Sequence, residues 1–209
     1  MNLPNKLTLL RILLVPVFMV CATQAFKPGW MLAAGIVFAA ASFTDYLDGH
    51  LARKWNMVTD FGKFADPLAD KLLTTTAFIY MMQMGACDPI VLVIILAREF
   101  AVSGLRMVAA GSGHVIAANI WGKVKTVLQM VTIIAFYFGM YIEGLVQQGK
   151  LSLPGGTSYA ILGNAANGLP MTYMMQVVGS LLCWLVAAVT LLSGVIYLWQ
   201  NRECINTAK

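Results

Sequence analysis

Charge is what this chain has least of. Asp, Glu, Lys and Arg make up 11% of its 209 residues and hydrophobic residues 59%. A soluble domain usually carries roughly a quarter charged residues, so a water-soluble fold is excluded and a membrane is required. Its four cysteines stand apart at positions 21, 87, 183 and 204. That spacing matches neither a disulfide framework nor a thiolate metal site, so apolar packing is their expected role. The two histidines, His50 and His114, are isolated and are read as a loop contact and a solvated side chain. There is no convincing internal repeat. The first apolar stretch runs on without a small-x-small cleavage site, which favours an uncleaved first span over a signal peptide. No basic soluble segment is present to carry nucleic-acid binding, despite a formal charge of +5.

What is present is apolar sequence in long runs, near 8–26, 30–51, 67–84, 89–110, 124–146 and 174–200. A membrane span needs about 20 residues, and five of the runs reach that comfortably. The run at 67–84 does so only if its polar first turn leaves the bilayer. The expected fold is all-α: a single polytopic membrane domain over residues 1–209, a bundle of six transmembrane helices, with Asn2–Arg11 as an interfacial segment before the first span. With six spans, the N-terminus, the links at 52–66 and 107–123 and the C-terminus share one side. Eleven of the fourteen Lys and Arg residues collect there, among them Arg53, Lys71, Arg106, Lys123 and Lys125. The positive-inside rule makes that side cytoplasmic. Trp55, Trp121 and Trp199 on that side, and Trp30, Tyr141 and Tyr173 on the other, fit interfacial belts. The block 147–172, punctuated by Gly, Asn and Pro, reads as an irregular loop on the far side.

Against this scarcity of charge, five of the nine acidic residues fall between positions 45 and 70. They form the pattern Asp45-x2-Asp48-Gly49-x2-Ala52-Arg53-x8-Gly62-x3-Asp66-x3-Asp70. On a helix at ~100° per residue, Asp48 lies roughly 60° to one side of Asp45 and Gly49 about 40° to the other, with Ala52 near Asp45 again. Asp66 and Asp70 are i and i+4 neighbours on one face. Carboxylates are expensive at a membrane boundary without partners. The economical partner for four converging ones is a divalent cation or a pair of them; Mg²⁺, with Mn²⁺ as the alternative, takes carboxylates plus substrate phosphates. Gly49 and Gly62 let a substrate approach the backbone, and Arg53 can answer a diphosphate with forked hydrogen bonds.

This spacing resembles the signature of the CDP-alcohol phosphatidyltransferases, integral membrane enzymes of phospholipid synthesis, and all eight of its positions are filled. Leu3-Pro-Asn-x-Leu-Thr-x-x-Arg11, Arg98-Glu-Phe with Leu105-Arg106, and Gly122-Lys-Val-Lys-Thr126 are similar to the bacterial branch acting on glycerol 3-phosphate. The matched segments run roughly from residue 2 to residue 130, and the block 147–172 is unmatched. The resemblance implies CDP-diacylglycerol as donor, sn-glycerol 3-phosphate as acceptor, and phosphatidylglycerol phosphate and CMP as products. It implies Asp70 as the base, Asp45, Asp48 and Asp66 as metal ligands with Asp70 also touching metal, and a homodimer. Asp48, Gly49, Ala52, Arg53 and Gly62 then form the donor side.

Arg98 and Glu99 interrupt the fourth run several residues from either end. Adjacent helical residues face different directions, which argues against their pairing with each other. Arg106, at i+8 from Arg98, shares nearly its face. With Lys123 and Lys125 these cations are expected to bind the acceptor phosphate, a structural ion pair being the alternative for Arg98. Lys71 is read as snorkelling, and Glu143 as an interfacial carboxylate. Two other functions stay open: a sibling enzyme with another alcohol acceptor, and a cation- or proton-coupled transporter. A transporter would hold its carboxylates near the midplane on broken helices, whereas here the acids gather at one boundary.

Overall fold

The computed structural model describes residues 3–24, 27–54, 60–111, 119–148, 150 and 172–202; within these, the side chains of 3–7, 45–54, 60–67, 70, 110–111, 147 and 172–173 lie outside the description. Among the described residues the chain is all-helical: α1 (Leu3–Thr23), α2 (Pro28–Lys54), α3 (Asp60–Gln83), α4 (Pro89–Gly111), α5 (Ile120–Gln147) and α6 (Thr172–Gln200). Each expected apolar run has its helix. Leu3–Arg11 is part of α1 itself and not a separate interfacial element, because no breaker interrupts the chain before the apolar stretch.

Local chemistry sets several boundaries. α3 ends where Gly85 takes φ +76°, a conformation that costs glycine little. The Gly85 and Ala86 N–H groups donate to the carbonyls of Met82 and Met81 at 3.0 and 2.8 Å, closing a Schellman-type cap. α4 restarts three residues later. Asp88 Oδ1 accepts the Ile90 N–H at 2.8 Å, and Pro89 supplies the first helical position, where a missing N–H costs nothing.

Two helices are long and apolar enough to cross a bilayer on length and composition, Ile120–Val146 and Met174–Gln200; Thr8–Thr23 and Pro28–Thr44 are shorter apolar segments. The burial pattern is that of a protein in lipid. Leu13, Phe100, Leu181 and Val195 are each more than half exposed, while Arg11, Lys125, Thr132, Thr190 and Ser193 are buried. In water that distribution would be strongly disfavoured.

The core centres on Phe18, whose ring meets those of Phe38, Tyr80 and Tyr137 at centroid separations of 6.1, 6.2 and 5.4 Å, tying α1 to α2, α3 and α5. Contacts sort the helix ends into two groups. At one end Pro28 of α2 lies against Gly144 of α5, so closely that a Cβ there would sit 2.4 Å from the proline ring. Gln176 of α6 donates to the Met84 carbonyl at 2.8 Å beside it. Cys87, Cys183 and Cys21 are buried free thiols, as packing residues should be, and the Cys87 thiol donates to the Asp88 carbonyl at 3.6 Å. Glu143, near the end of α5, belongs to this end and is buried, with neither oxygen hydrogen-bonded among the described residues.

At the other end Asn119 donates to Gln200 Oε1 at 2.8 Å, joining the start of α5 to the end of α6. Arg106 near the end of α4 reaches Tyr197 of α6. The helices therefore alternate in direction, and the C-terminal turns of α2 and the N-terminal turns of α3 belong to this second end.

Candidate active site

All eight residues of the aspartate pattern fall on helix. Asp45, Asp48, Gly49, Ala52 and Arg53 occupy the last ten residues of α2, and Gly62, Asp66 and Asp70 the first half of α3. Their side chains lie outside the described residues, as do those of His50 and His114. The backbone is helical at all eight positions, at the end of the bundle where α4 and α5 place Arg106, Lys123 and Lys125.

The surrounding polar side chains are defined. Lys71, the residue after Asp70, is turned inward and does not snorkel: its Nζ donates to Ser103 Oγ and, at 3.4 Å, to the Glu99 carbonyl. The turn of α3 that carries Asp70 is thus pinned to α4. Glu99 reaches on to α5, where its Oε1 pairs with Lys125 Nζ, and Lys125 is buried. Arg98 Nη1 approaches Glu99 Oε2 at 3.8 Å. The expectation that neighbours on one helix cannot pair is corrected here. The arginine side chain is long enough to curl back, which Cβ directions alone do not capture.

Arg98 spans toward α6 as well, donating from Nη2 to Ser193 Oγ at 2.7 Å. It fits because its neighbours lack side chains. A Cβ on Gly194 would stand 3.0 Å from its Cγ, and one on Gly122 would stand 3.4 Å from Nη2. Arg106 donates from Nε to Tyr197 Oη at 3.0 Å and lies 5.4 Å from the centre of that ring, combining a hydrogen bond with a cation–π contact. Lys123 is exposed on the first turn of α5.

The cations expected to act together are therefore not equivalent. Arg98 and Lys125 join Glu99 and Lys71 in one buried network across α3, α4, α5 and α6. Arg106 stands beside Tyr197, and Lys123 faces outward. The residues that sequence reasoning missed are Ser103, Ser193, Gly194 and Tyr197. Three of them lie on α6, where the sequence shows only hydrophobic pattern. The available signal was their spacing: Ser193 and Tyr197, like Thr190 before them, are buried polar residues on one helical face. Among the described residues no three His, Cys, Asp or Glu side chains form a metal-holding group, so any such group depends on the aspartates.

Comparison with known proteins bears on the whole chain. Residues 1–200 match the family model of the CDP-alcohol phosphatidyltransferases, well past the point near 130 where the visible motifs stop. A CDP-diacylglycerol–glycerol-3-phosphate 3-phosphatidyltransferase of Bacillus subtilis is 37% identical over 99% of this chain and 98% of its own length. One from Rickettsia felis is 36% identical over 94% of this chain and 93% of its own. One from Mycoplasma pneumoniae is 40% identical over 52% and 48% of the two chains. With its eight-residue signature on the ends of two successive helices and a match across nearly its full length, the chain belongs to the CDP-alcohol phosphatidyltransferase family.

Proposed function

We propose that this protein transfers a phosphatidyl group from CDP-diacylglycerol to sn-glycerol 3-phosphate, giving phosphatidylglycerol phosphate and CMP in the synthesis of membrane phospholipid. The observation that carries the reading is the placement of four aspartate positions, on α2 and α3, at the bundle end where α4 and α5 supply Arg98, Arg106, Lys123 and Lys125. An anionic donor and a phosphorylated acceptor need such a pairing. The donor's acyl chains need lipid and its nucleotide needs water, which suits a site at the membrane boundary.

Six spans with both termini and this site on the cytoplasmic side of a bacterial inner membrane accord with the alternation of the helices and with the positive charge at this end. Assembly as a homodimer belongs to the same reading.

The donor set fits a hard divalent cation: four carboxylates and no sulfur or imidazole, at i, i+3 on α2 and i, i+4 on α3. Asp45, Asp48, Asp66 and Asp70 would hold two Mg²⁺ ions or Mn²⁺. Bound there, the metal would neutralise the diphosphate and the charge developing on CMP. Asp70 accepts the proton of the acceptor hydroxyl as that oxygen attacks the phosphatidyl phosphorus and the bond to CMP breaks. Arg53 binds the donor diphosphate, with Asp48, Gly49, Ala52 and Gly62 lining its approach. Arg106 and Lys123 hold the acceptor phosphate, and Arg98 and Lys125 complete its cationic wall.

The test is release of CMP from CDP-diacylglycerol by the purified protein with a panel of acceptors. Glycerol 3-phosphate should support it, and serine, inositol phosphate and phosphatidylglycerol should not. Preference for one of the latter would make the enzyme a sibling with another product.

A further inference from the structure

Glu99 meets three cations, Arg98 and Lys125 through its carboxylate and Lys71 through its carbonyl, and no step of the reaction uses it. Its carboxylate takes Lys125 of α5 on Oε1 and stands 3.8 Å from Arg98 on Oε2. Its backbone carbonyl accepts Lys71 of α3, the residue after the proposed base, at 3.4 Å. One residue of α4 thus touches cations from three helices. A buried lysine is strongly disfavoured without a counter-charge, and Lys125 is 1% exposed.

The contact also orients α5. Gly122 and Lys125 are one turn apart and meet Arg98 and Glu99 respectively, so long side chains link the first turns of α5 to α4 through this face. Lys123 is set roughly 100° around the helix from Gly122, which leaves it exposed. Releasing Lys125 would free the buried cation and loosen the first turns of α5, which carry the exposed one.

We propose that Glu99 is a positioning residue for acceptor recognition: by holding Lys125 and Arg98 it fixes the cationic wall and the start of α5 that carries Lys123. It acts through those cations and not on the reacting atoms. The inference rests on the acceptor reading given above.

The experiment is steady-state CMP release, with glycerol 3-phosphate and CDP-diacylglycerol varied in turn, for Glu99→Gln, Glu99→Asp, Lys125→Met and the double variant Glu99→Gln/Lys125→Met. Losing a charge-assisted contact should raise the acceptor KM about tenfold or more in Glu99→Gln, with the donor KM unchanged. Glu99→Asp, which keeps the charge on a shorter arm, should recover part of that loss. In the Lys125→Met background Glu99→Gln should add less than about threefold, because residues in one network are not additive. Equal changes in both KM values, effects that multiply in the double variant, or a loss of thermal stability with kinetics intact would each overturn the proposal. Should Glu99→Gln fail to assemble, Glu99→Asp decides alone: an acceptor KM equal to wild type sinks the idea. Failure of the functional reading looks different. Wild-type protein would then release no CMP with glycerol 3-phosphate, whereas the Glu99 proposal fails against a wild type that does.

Discussion

The two ends of this bundle are built on different physics. The end that gathers Pro28, Gly85, Gly144 and Gln176 is closed by contact: a proline ring on a glycine, a capped turn and a side-chain amide on a carbonyl. Next to it the rings around Phe18 fill the space between four helices. The end that carries the aspartates is held by charge and hydrogen bonds, from Lys71 through Glu99 and Lys125 to Arg98 and Ser193, with glycines keeping slots open for long side chains. In lipid, where burial itself gives helices little reason to associate, close packing and interhelical polar contacts must supply the cohesion. This molecule uses the first at one end and the second at the other.

The contrast predicts that substitutions at the charged end change kinetics, and those at the packed end change stability. Asp70→Asn should show the largest kinetic effect. Removing a proton acceptor costs on the order of 10²–10⁴ in rate, so turnover should fall much further than donor binding, measured separately by equilibrium binding of CDP-diacylglycerol. Chelation should abolish both, with Mg²⁺ or Mn²⁺ restoring them; full activity of metal-free protein would remove the metal from the account.

Next in size are Arg106→Ala and Lys123→Ala. Each removes a charge-assisted hydrogen bond to the acceptor phosphate, worth about 1.5–3 kcal/mol or roughly ten- to a hundredfold in acceptor KM. Donor KM should hardly move, whereas Arg53→Ala should raise donor KM and spare the acceptor. A smaller step is Tyr197→Phe, which keeps the ring under Arg106 and deletes the oxygen 3.0 Å from its Nε. That bond is charge-assisted, but it acts on the acceptor only through Arg106, so acceptor KM should rise by less than it does in Arg106→Ala.

Phe18→Ala tests the packed end. A buried aromatic truncated to alanine costs about 3–5 kcal/mol, which should lower the unfolding temperature in detergent while both KM values of the folded protein stay put. Kinetic damage there at unchanged stability would mean that the two ends are not separable. Smallest of all should be the effect of shortening the block 151–171, which lies outside the described residues. Turnover should survive if the helices still assemble, and a stable but inactive deletion would tie that block to the chemistry.

Much was written in the chain before any fold was known, because the relevant physics is local. Scarcity of charge and the length of the apolar runs require helices in a membrane, and those helices appear at 3–23, 28–54, 60–83, 89–111, 120–147 and 172–200. The aspartate pattern is legible for the same reason: its residues are near in sequence, and helical phase alone arranges them. The partners of the cations were not legible. Arg98 meets Ser193 across 95 residues and Arg106 meets Tyr197 across 91, and no periodicity joins such distant positions. That Glu99 reaches both its neighbour and Lys125, and that Lys71 turns inward to α4, depends on which helix faces which and on how far a flexible side chain can bend. Sequence by itself determined the helices, their apolar character and the aspartate pattern on two of them. Only tertiary packing decided which cations are bound into a buried network and which remain exposed, because an ion pair is selected by distance in space, and that distance exists only once the helices have come together.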